Sequence, residues 1–361
     1  MAETYSASAK RLTWNADVVR VKVPGVLLSI VVAVIAVYGA PYVARVFPIP
    51  PMVLALIVGI LLNPVAVKPS FQPGMTFCVK KLLRWAVALL GVRIALGDIA
   101  ALGLSTALLV IVSMVATIVA GFAFARLLGL AAGYGALAGS ATAVCGASAA
   151  LATATVLPDY DKKDADVVFV VIAANAFATV GMVFYPPIGT ALGFDPHTIG
   201  IFLGGTIHDV AQVVGAGYAV SDAVGNTAVI VKLFRVFLLL PVVLSIGWWF
   251  ARAGAKSGTS ASARAAANAA RVPVPVFAFV FLALCLVNSF LPGTSFAAPY
   301  AATKYWLVEA STDGLLIAIS ALGLGTSFSS ITSLGWRHLV AMTGVSLVIL
   351  VVVTAALIGL R

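Results

Sequence analysis

Charge is what this chain has least of. Only 9% of its 361 residues are Asp, Glu, Lys or Arg, where a soluble domain carries roughly a quarter. That shortfall excludes a pair of ordinary soluble domains. Cysteine is sparse as well: Cys78, Cys145 and Cys285 are scattered and form no CxxC pair. A disulfide framework and a thiolate zinc site are thereby excluded. Absent too are the H-E-x-x-H, G-x-S-x-G and P-loop patterns. We therefore expect no enzymatic chemistry, no cofactor and no metal centre. Basic residues outnumber acidic ones 22 to 12, but they fall between apolar runs in the manner of cytoplasmic loops. The surplus does not point to nucleic acid.

What the chain has in excess is apolar surface: 62% of residues are hydrophobic and the mean hydropathy is +1.12. The apolar blocks run to about 20 residues, the length that crosses a hydrocarbon core roughly 30 Å thick. The reading is an all-α polytopic membrane protein with about eleven segments. They lie near residues 24–46, 52–67, 83–98, 103–124, 129–156, 167–189, 198–220, 225–250, 274–291, 304–325 and 338–360. Residues 1–23 form a polar, basic cytoplasmic segment with no cleavable signal, and 24–361 a single transmembrane domain. The Ala-, Ser-, Gly- and Arg-rich stretch 251–273 reads as a flexible cytoplasmic linker or a short amphipathic surface helix.

Orientation follows from lysine and arginine. With the amino terminus inside, the inner connections hold Lys10, Arg11, Arg20, Lys22, Lys68, Lys80, Lys81, Arg84, Arg126, Arg252, Lys256, Arg264, Arg271 and Arg337. The outer side holds Arg45, Lys162, Lys163, Lys304 and Arg361, with Asp159, Asp161, Asp164 and Asp166 in one outer loop. The expectation is an inside amino terminus and an outside carboxyl terminus.

Two segments are poor in large apolar side chains. Residues 133–155 and 320–330 are rich in Gly, Ser, Thr and Ala. Small residues let helices pack closely. The same composition also suits helices that unwind at mid-membrane and offer helix ends to an ion. Gly146-Ala147-Ser148-Ala149-Ala150-Leu151 can be laid on Gly325-Thr326-Ser327-Phe328-Ser329-Ser330, antiparallel in this topology, as an inverted repeat requires. A rival echo pairs Leu90–Arg93 with Leu322–Gly325.

The densest chemistry is Gly204-Gly205-Thr206-Ile207-His208-Asp209-Val210-Ala211-Gln212. An ionisable residue at bilayer depth costs about 2.5–3.5 kcal/mol on insertion scales and usually meets a substrate, an ion or a buried partner. On a helix His208, Asp209 and Gln212 sit close together. They suit a proton relay or a cation site; the bland alternative is a buried pair satisfying a neighbouring helix. Lys232 and Arg235 are three apart in the next segment and share a face. They would attract an anion, pair with Asp209 or Asp222, or snorkel to the outer interface. Arg93, with Asp98 nearby, reads as snorkelling. Ser140, Thr142 and Ser148, with the backbone around Cys145 and Gly146, could ligate an anion through hydroxyls and amides. Cys145 itself reads as a small packing residue.

At these residues the chain resembles a known family. Val144-Cys145-Gly146-Ala147-Ser148-Ala149, the Gly204–Val214 run with its His-Asp and Gln, and Lys232-Leu233-Phe234-Arg235 with Pro241 resemble, in order, three blocks of the YeiH family. Members are bacterial inner-membrane proteins labelled sulfate exporters and grouped with cation–proton antiporters and bile-acid symporters. The resemblance implies a core domain with two crossing broken helices, a panel domain, inverted repeats and often a homodimer. It implies a secondary transporter moving a small anion, sulfate above all, coupled to H+ or Na+. Lys232, Arg235, His208, Ser140, Thr142, Gly146, Ser148, Thr326 and Ser327 would then bind substrate. Asp209, His208 and Gln212 would carry the coupling ion or proton. The alternatives are a sodium-coupled organic-anion importer or a cation–proton antiporter, with Asp209, Gln212 and carbonyls near Gly325 and Thr326 holding sodium. A channel or membrane scaffold is the reading of another class.

Overall fold

A computed structural model describes residues 2–43, 50–255, 275–294, 297–326 and 335–360. Among them every regular element is helical. In chain order the principal helices are α1 (Ala2–Val43), α2 (Pro51–Leu61), α3 (Leu83–Leu89), α4 (Gly103–Leu127), α5 (Ala132–Ala143), α6 (Ala147–Val156) and α7 (Lys163–Ala191). They continue with α8 (Pro196–Thr206), α9 (Val210–Val220), α10 (Asp222–Phe237), α11 (Leu239–Ala255), α12 (Val276–Phe290), α13 (Ala297–Gly325) and α14 (Trp336–Gly359). Among the described residues six stretches are long and apolar enough to cross a membrane: Arg20–Val43, Gly103–Leu127, Lys163–Ala191, Asp222–Arg252, Pro299–Gly325 and Trp336–Gly359. Shorter apolar helices lie between them.

The chain divides into two compact units. The first comprises Met1–Leu90 and Ala298–Ser327. Its helices pack backbone to backbone: a Cβ on Gly25 would collide with the Phe71 carbonyl oxygen, and one on Gly74 with that of Lys22. Two long-range side-chain bonds add register. Asn63 Nδ2 donates to the Leu324 carbonyl at 2.7 Å, and Ser311 Oγ to that of Ala86 at 2.7 Å.

The second unit comprises Gly91–Ala297 and Phe328–Arg361. Here the structure departs from the sequence expectation in a way that matters for function. The 129–156 segment does not cross; it turns back. Thr153 Oγ1 donates to Ser140 Oγ at 2.8 Å, and the Tyr160 ring presses on Gly133, leaving no room for a Cβ there. Residues paired about a centre near 146 mean antiparallel arms. Helices α5 and α6 are therefore the two arms of a re-entrant hairpin, hairpin 1, with its tip at Val144–Gly146. Along one continuous direction residues 140 and 153 would stand about 20 Å apart.

The 198–220 segment behaves likewise. Helix α8 runs parallel to α10, Gly200 facing Val224 and Thr227 while Gly204 faces Ala228 and Val231. Helix α9 runs antiparallel to α10: Gly217 faces Gly225 and Ala228, and Tyr218 Oη donates to Asn226 Oδ1 at 2.7 Å. The arms α8 and α9 thus form hairpin 2, with its tip at Ile207–Asp209. Local sequence explains both ends of this motif. Asp195 caps α8 by accepting from the His197 and Thr198 amides, with Pro196 at the first helical position. Those bonds, the Thr198 hydroxyl's foremost, hold the Asp195 carboxyl below the usual carboxylate range. Asp209 caps α9 from the tip, accepting from Ala211 N at 3.0 Å.

The hairpins are based at opposite ends of the second unit. Tyr134, Tyr160, Asp166 and His338 gather at the hairpin 1 end, and Gly247 of α11 packs on Val156 there. At the other end Arg93 Nη2 donates to Asp222 Oδ1 at 2.8 Å, beside the base of hairpin 2. Lys162, Lys163 and the acidic 159–166 stretch therefore share an end with Arg126, Arg252 and Arg337, not the opposite one. Arg93 does not merely snorkel: it pairs with Asp222 and lies over the Tyr218 ring at 5.0 Å. Among the described residues of the second unit the discontinuous helices, α5 with α6 and α8 with α9, fold back as hairpins. Most of the proposed 251–273 linker, and residues 327–330 of the proposed repeat, lie outside the described residues.

Candidate functional site

The two tips meet midway along α7. A Cβ on Gly146 would lie 3.6 Å from Asp209 Oδ2, 3.7 Å from the His208 carbonyl oxygen and 3.8 Å from Ala174 Cβ. Gly146 has φ +63°, a backbone region that favours glycine and lets the chain reverse in three residues. At this junction four helix ends converge. The carboxyl ends of α5 and α8 arrive, and the amino ends of α6 and α9 depart.

Each arriving end carries unsatisfied carbonyls and about half a negative charge. Lys232 and Arg235, both fully buried on α10, meet those ends. Lys232 Nζ donates to the carbonyl oxygens of Val144 at 2.6 Å, Ile207 at 2.9 Å and His208 at 2.6 Å. That engages all three of its donors. Arg235 donates through Nη2 to Thr142 O at 2.7 Å and through Nε to Ala143 O at 2.9 Å. Its Nη1 reaches the Gly204, Gly205 and Ile207 oxygens at 2.9, 2.8 and 3.2 Å. The two cations therefore clamp one hairpin tip to the other. Their spacing of three residues, noticed in the sequence, lets one helix face reach both tips. Asp222, a sequence candidate for their partner, is engaged by Arg93 instead.

The departing ends carry partial positive charge and are met by Asp209. It caps α9 directly, and its other oxygen faces Gly146 at the start of α6. His208 is buried with both ring nitrogens occupied: Nδ1 meets the Thr206 carbonyl at 3.1 Å and Nε2 the Ser346 hydroxyl at 2.8 Å. A carbonyl only accepts, so Nδ1 carries a proton, and in the neutral imidazole Nε2 then accepts from Ser346. Gln212 is buried; its Nε2 donates to Asn175 Oδ1 at 3.1 Å, while its Oε1 has no hydrogen-bond partner among the described residues.

The remaining predicted residues divide. Gly146 and Ser148, the latter half-buried on the first turn of α6, belong to the junction. The Thr142 carbonyl is an Arg235 ligand while its hydroxyl faces Met342 sulfur at 4.0 Å. Ser140 lies deeper in hairpin 1, joining the two arms through Thr153. Thr326 belongs to the first unit, where its hydroxyl donates to its own helix at Leu322 O, and Ser327 lies outside the described residues. Sequence reasoning missed Asn175, Thr179 and Ser346, single polar groups inside long apolar runs. Their signal was present in α7, where Asn175 and Thr179 stand four apart on one face.

Comparison with known proteins decides the family. A family model described as conserved hypothetical protein 698 matches residues 24–342. The chain belongs to this family. It is 36% identical over 336 residues to UPF0324 membrane protein CT0845 of Chlorobaculum tepidum, covering 93% of this chain and 89% of the relative. It is 38% identical over 335 residues to UPF0324 membrane protein TauZ of Paracoccus pantotrophus, covering 92% and 94%. It is 37% identical over 335 residues to the UPF0324 membrane protein of the same name from Paracoccus denitrificans, again covering 92% and 94%. The match to these relatives spans both hairpins, so the family of membrane proteins to which this chain belongs is the setting for the site.

Proposed function

We propose that this chain is a secondary transporter that moves a small anion across the bacterial inner membrane with proton or sodium coupling, sulfate export being the first activity to test. The observation that carries the reading is the meeting of two opposed re-entrant tips around buried ionisable groups at the midpoint of α7. Such irregular backbone is tolerated at membrane depth where it is buried in protein or lines a cavity, and helix ends there suit ion binding.

The clamp revises the roles. Lys232 and Arg235 supply positive field rather than free donors, because their N–H groups already hold carbonyls. An anion would be bound by the amino ends of α6 and α9, with the Ser148 hydroxyl and backbone amides near Gly146 as donors. The formal charge at the junction is two positive against one negative, and protonating Asp209 removes the negative one. Anion binding and protonation of Asp209 therefore favour each other, which is the coupling a proton-linked carrier needs. The charge-rich end with Arg126, Lys162, Arg252 and Arg337 would face the cytoplasm, leaving the end of α14 periplasmic.

A second reading rests on Gln212. Its buried Oε1, one turn from Asp209, has no hydrogen-bond partner among the described residues, while its Nε2 reaches Asn175 Oδ1 at 3.1 Å and Thr179 Oγ1 at 3.5 Å. Oxygens of this kind suit a hard cation, so sodium could be the coupling ion.

The test is sulfate flux in proteoliposomes under imposed proton or sodium gradients, in wild type and Asp209→Asn. Gradient-driven flux that loses its pH dependence in the variant supports the proton-coupled carrier. Flux that follows sodium instead selects the second reading. Conductance far above carrier rates, or no flux of any anion, sinks the carrier and leaves a channel or scaffold.

A further inference from the structure

The amino ends of α6 and α9 bring donors to the junction, and one buried acceptor stands among them. Gln212 lies on the first turn of α9 and is fully buried. Its Nε2 meets Asn175 Oδ1 at 3.1 Å and Thr179 Oγ1 at 3.5 Å, both on α7. The Thr179 hydroxyl already donates to the Asn175 carbonyl at 3.0 Å, so toward Gln212 it has only lone pairs to offer. The branch of the amide that faces it is therefore the NH2 group. Oε1 is the branch left without a hydrogen-bond partner among the described residues. A buried acceptor of this kind calls for a donor from elsewhere.

Gln212 belongs to the junction by position. Long helical side chains lean toward the amino end of their own helix, so its amide lies back over the turn that Asp209 caps. Asn175, which holds that amide, follows Ala174, whose Cβ is 3.8 Å from where a Gly146 Cβ would stand. Ser148, Asn175 and Asp209 are partly exposed, so a small ion can approach the amide past them. Donors stand on the same approach. They are the Ser148 hydroxyl and the amides of Ala147 and Ser148, the first two residues of α6, which meet no carbonyl within their own helix. Lys232 and Arg235 add positive field, their N–H groups being held by the tips.

We propose that the anion bound at this junction is an oxyanion that keeps one O–H of its own, and that Gln212 Oε1 accepts from that O–H. The proposal rests on the anion-carrier reading and narrows its substrate class. The other oxygens of the anion accept from the α6 amides and Ser148. Asn175 and Thr179 are positioning residues: they hold the amide so that its oxygen, not its nitrogen, is the branch on offer. Sulfate matches hydrogen phosphate in shape and charge but has no proton. It would leave Oε1 unpaired and meet Asp209 with lone pairs alone. A site built to bond a substrate O–H discriminates strongly against the analogue that lacks it.

Calorimetric titration of the purified full-length protein in detergent, at mildly alkaline pH and fixed ionic strength, tests this without a transport assay. Choline salts keep alkali cations away from Oε1. Two matched pairs differ in the O–H: hydrogen phosphate against sulfate, and bicarbonate against nitrate. In the wild type the protonated member of the tighter-binding pair should bind at least about tenfold more tightly, the ratio that one unpaired buried acceptor sets. Gln212→Met, of similar length and without the acceptor, should remove the preference. Sulfate and nitrate bound as tightly as their partners overturn the proposal and leave the carrier reading standing. A preference that survives in Gln212→Met does the same. So does oxyanion binding that appears only with added sodium and shows no preference, which would give Oε1 to the cation. No saturable binding of any of the four anions, with or without sodium, by folded protein overturns both readings. Should Gln212→Met fail to fold, the wild-type ratio decides alone.

Discussion

Lys232 and Arg235 show how far a residue can be read from its type. Their three-residue spacing on an apolar helix placed them on one face, with anion attraction, acidic partners and snorkelling all open. Whom they served was not legible, because a sequence reading searches for acidic partners or an external anion. The real partners are main-chain carbonyls at Thr142–Val144 and Gly204–His208, groups every residue possesses. The difference is measurable. Lys232→Met leaves the buried Val144 and His208 carbonyls without their donor, each costing about 1–3 kcal/mol, while the Ile207 carbonyl keeps Arg235 Nη1. The variant should lose several degrees or more of melting temperature in detergent, while Asp209→Asn, at a partly buried cap, loses much less. A Lys232→Met protein with wild-type thermal stability and abolished flux would mean that the ammonium serves substrate and not the tips.

At the scale of the element, composition announced both unusual segments but not their direction. The Gly-, Ala- and Ser-rich run 133–150 suits a close-packed span, an unwound span and a hairpin equally, because each needs small residues at a tight contact. The discriminating features are local and few: Gly146 with its positive φ and Asp209 as a cap. In a window of about 20 apolar residues they look like minor interruptions. Each arm is 10 to 12 residues, about half a bilayer at 1.5 Å per residue. Hydropathy summed across two arms and a tip therefore imitates one crossing. Ser140→Cys with Thr153→Cys, in a background lacking the three native cysteines, tests the fold-back. Because the two hydroxyls are 2.8 Å apart, mild oxidation should form an intramolecular disulfide in most molecules. No disulfide in folded protein would restore a spanning helix, in which the pair is too far apart to bridge.

For the whole molecule the two returns offset one another. Reading hairpin 1 as a crossing inverts the direction of α7, and reading hairpin 2 as a crossing inverts it back. The directions of α10, α12 and α14 therefore come out the same by either route, and so does the inferred outside carboxyl terminus. The error is confined to the stretch between the hairpins, and it explains an oddity in the charge pattern. Lys162 and Lys163, with their acidic neighbours, looked like exceptions on the outer side; with α5 and α6 folded back they join Arg126, Arg252 and Arg337, and the basic bias of that end strengthens. The consequence is a clean labelling experiment. Asp161 and Arg252 are both exposed, so single cysteines at these positions should react with a membrane-impermeant thiol reagent from the same side. Inside-out vesicles should label both and right-side-out vesicles neither, given a cytoplasmic charge-rich end. Labelling of the two positions from opposite sides would mean that 129–156 crosses after all, and it would remove the opposed tips on which the carrier reading stands.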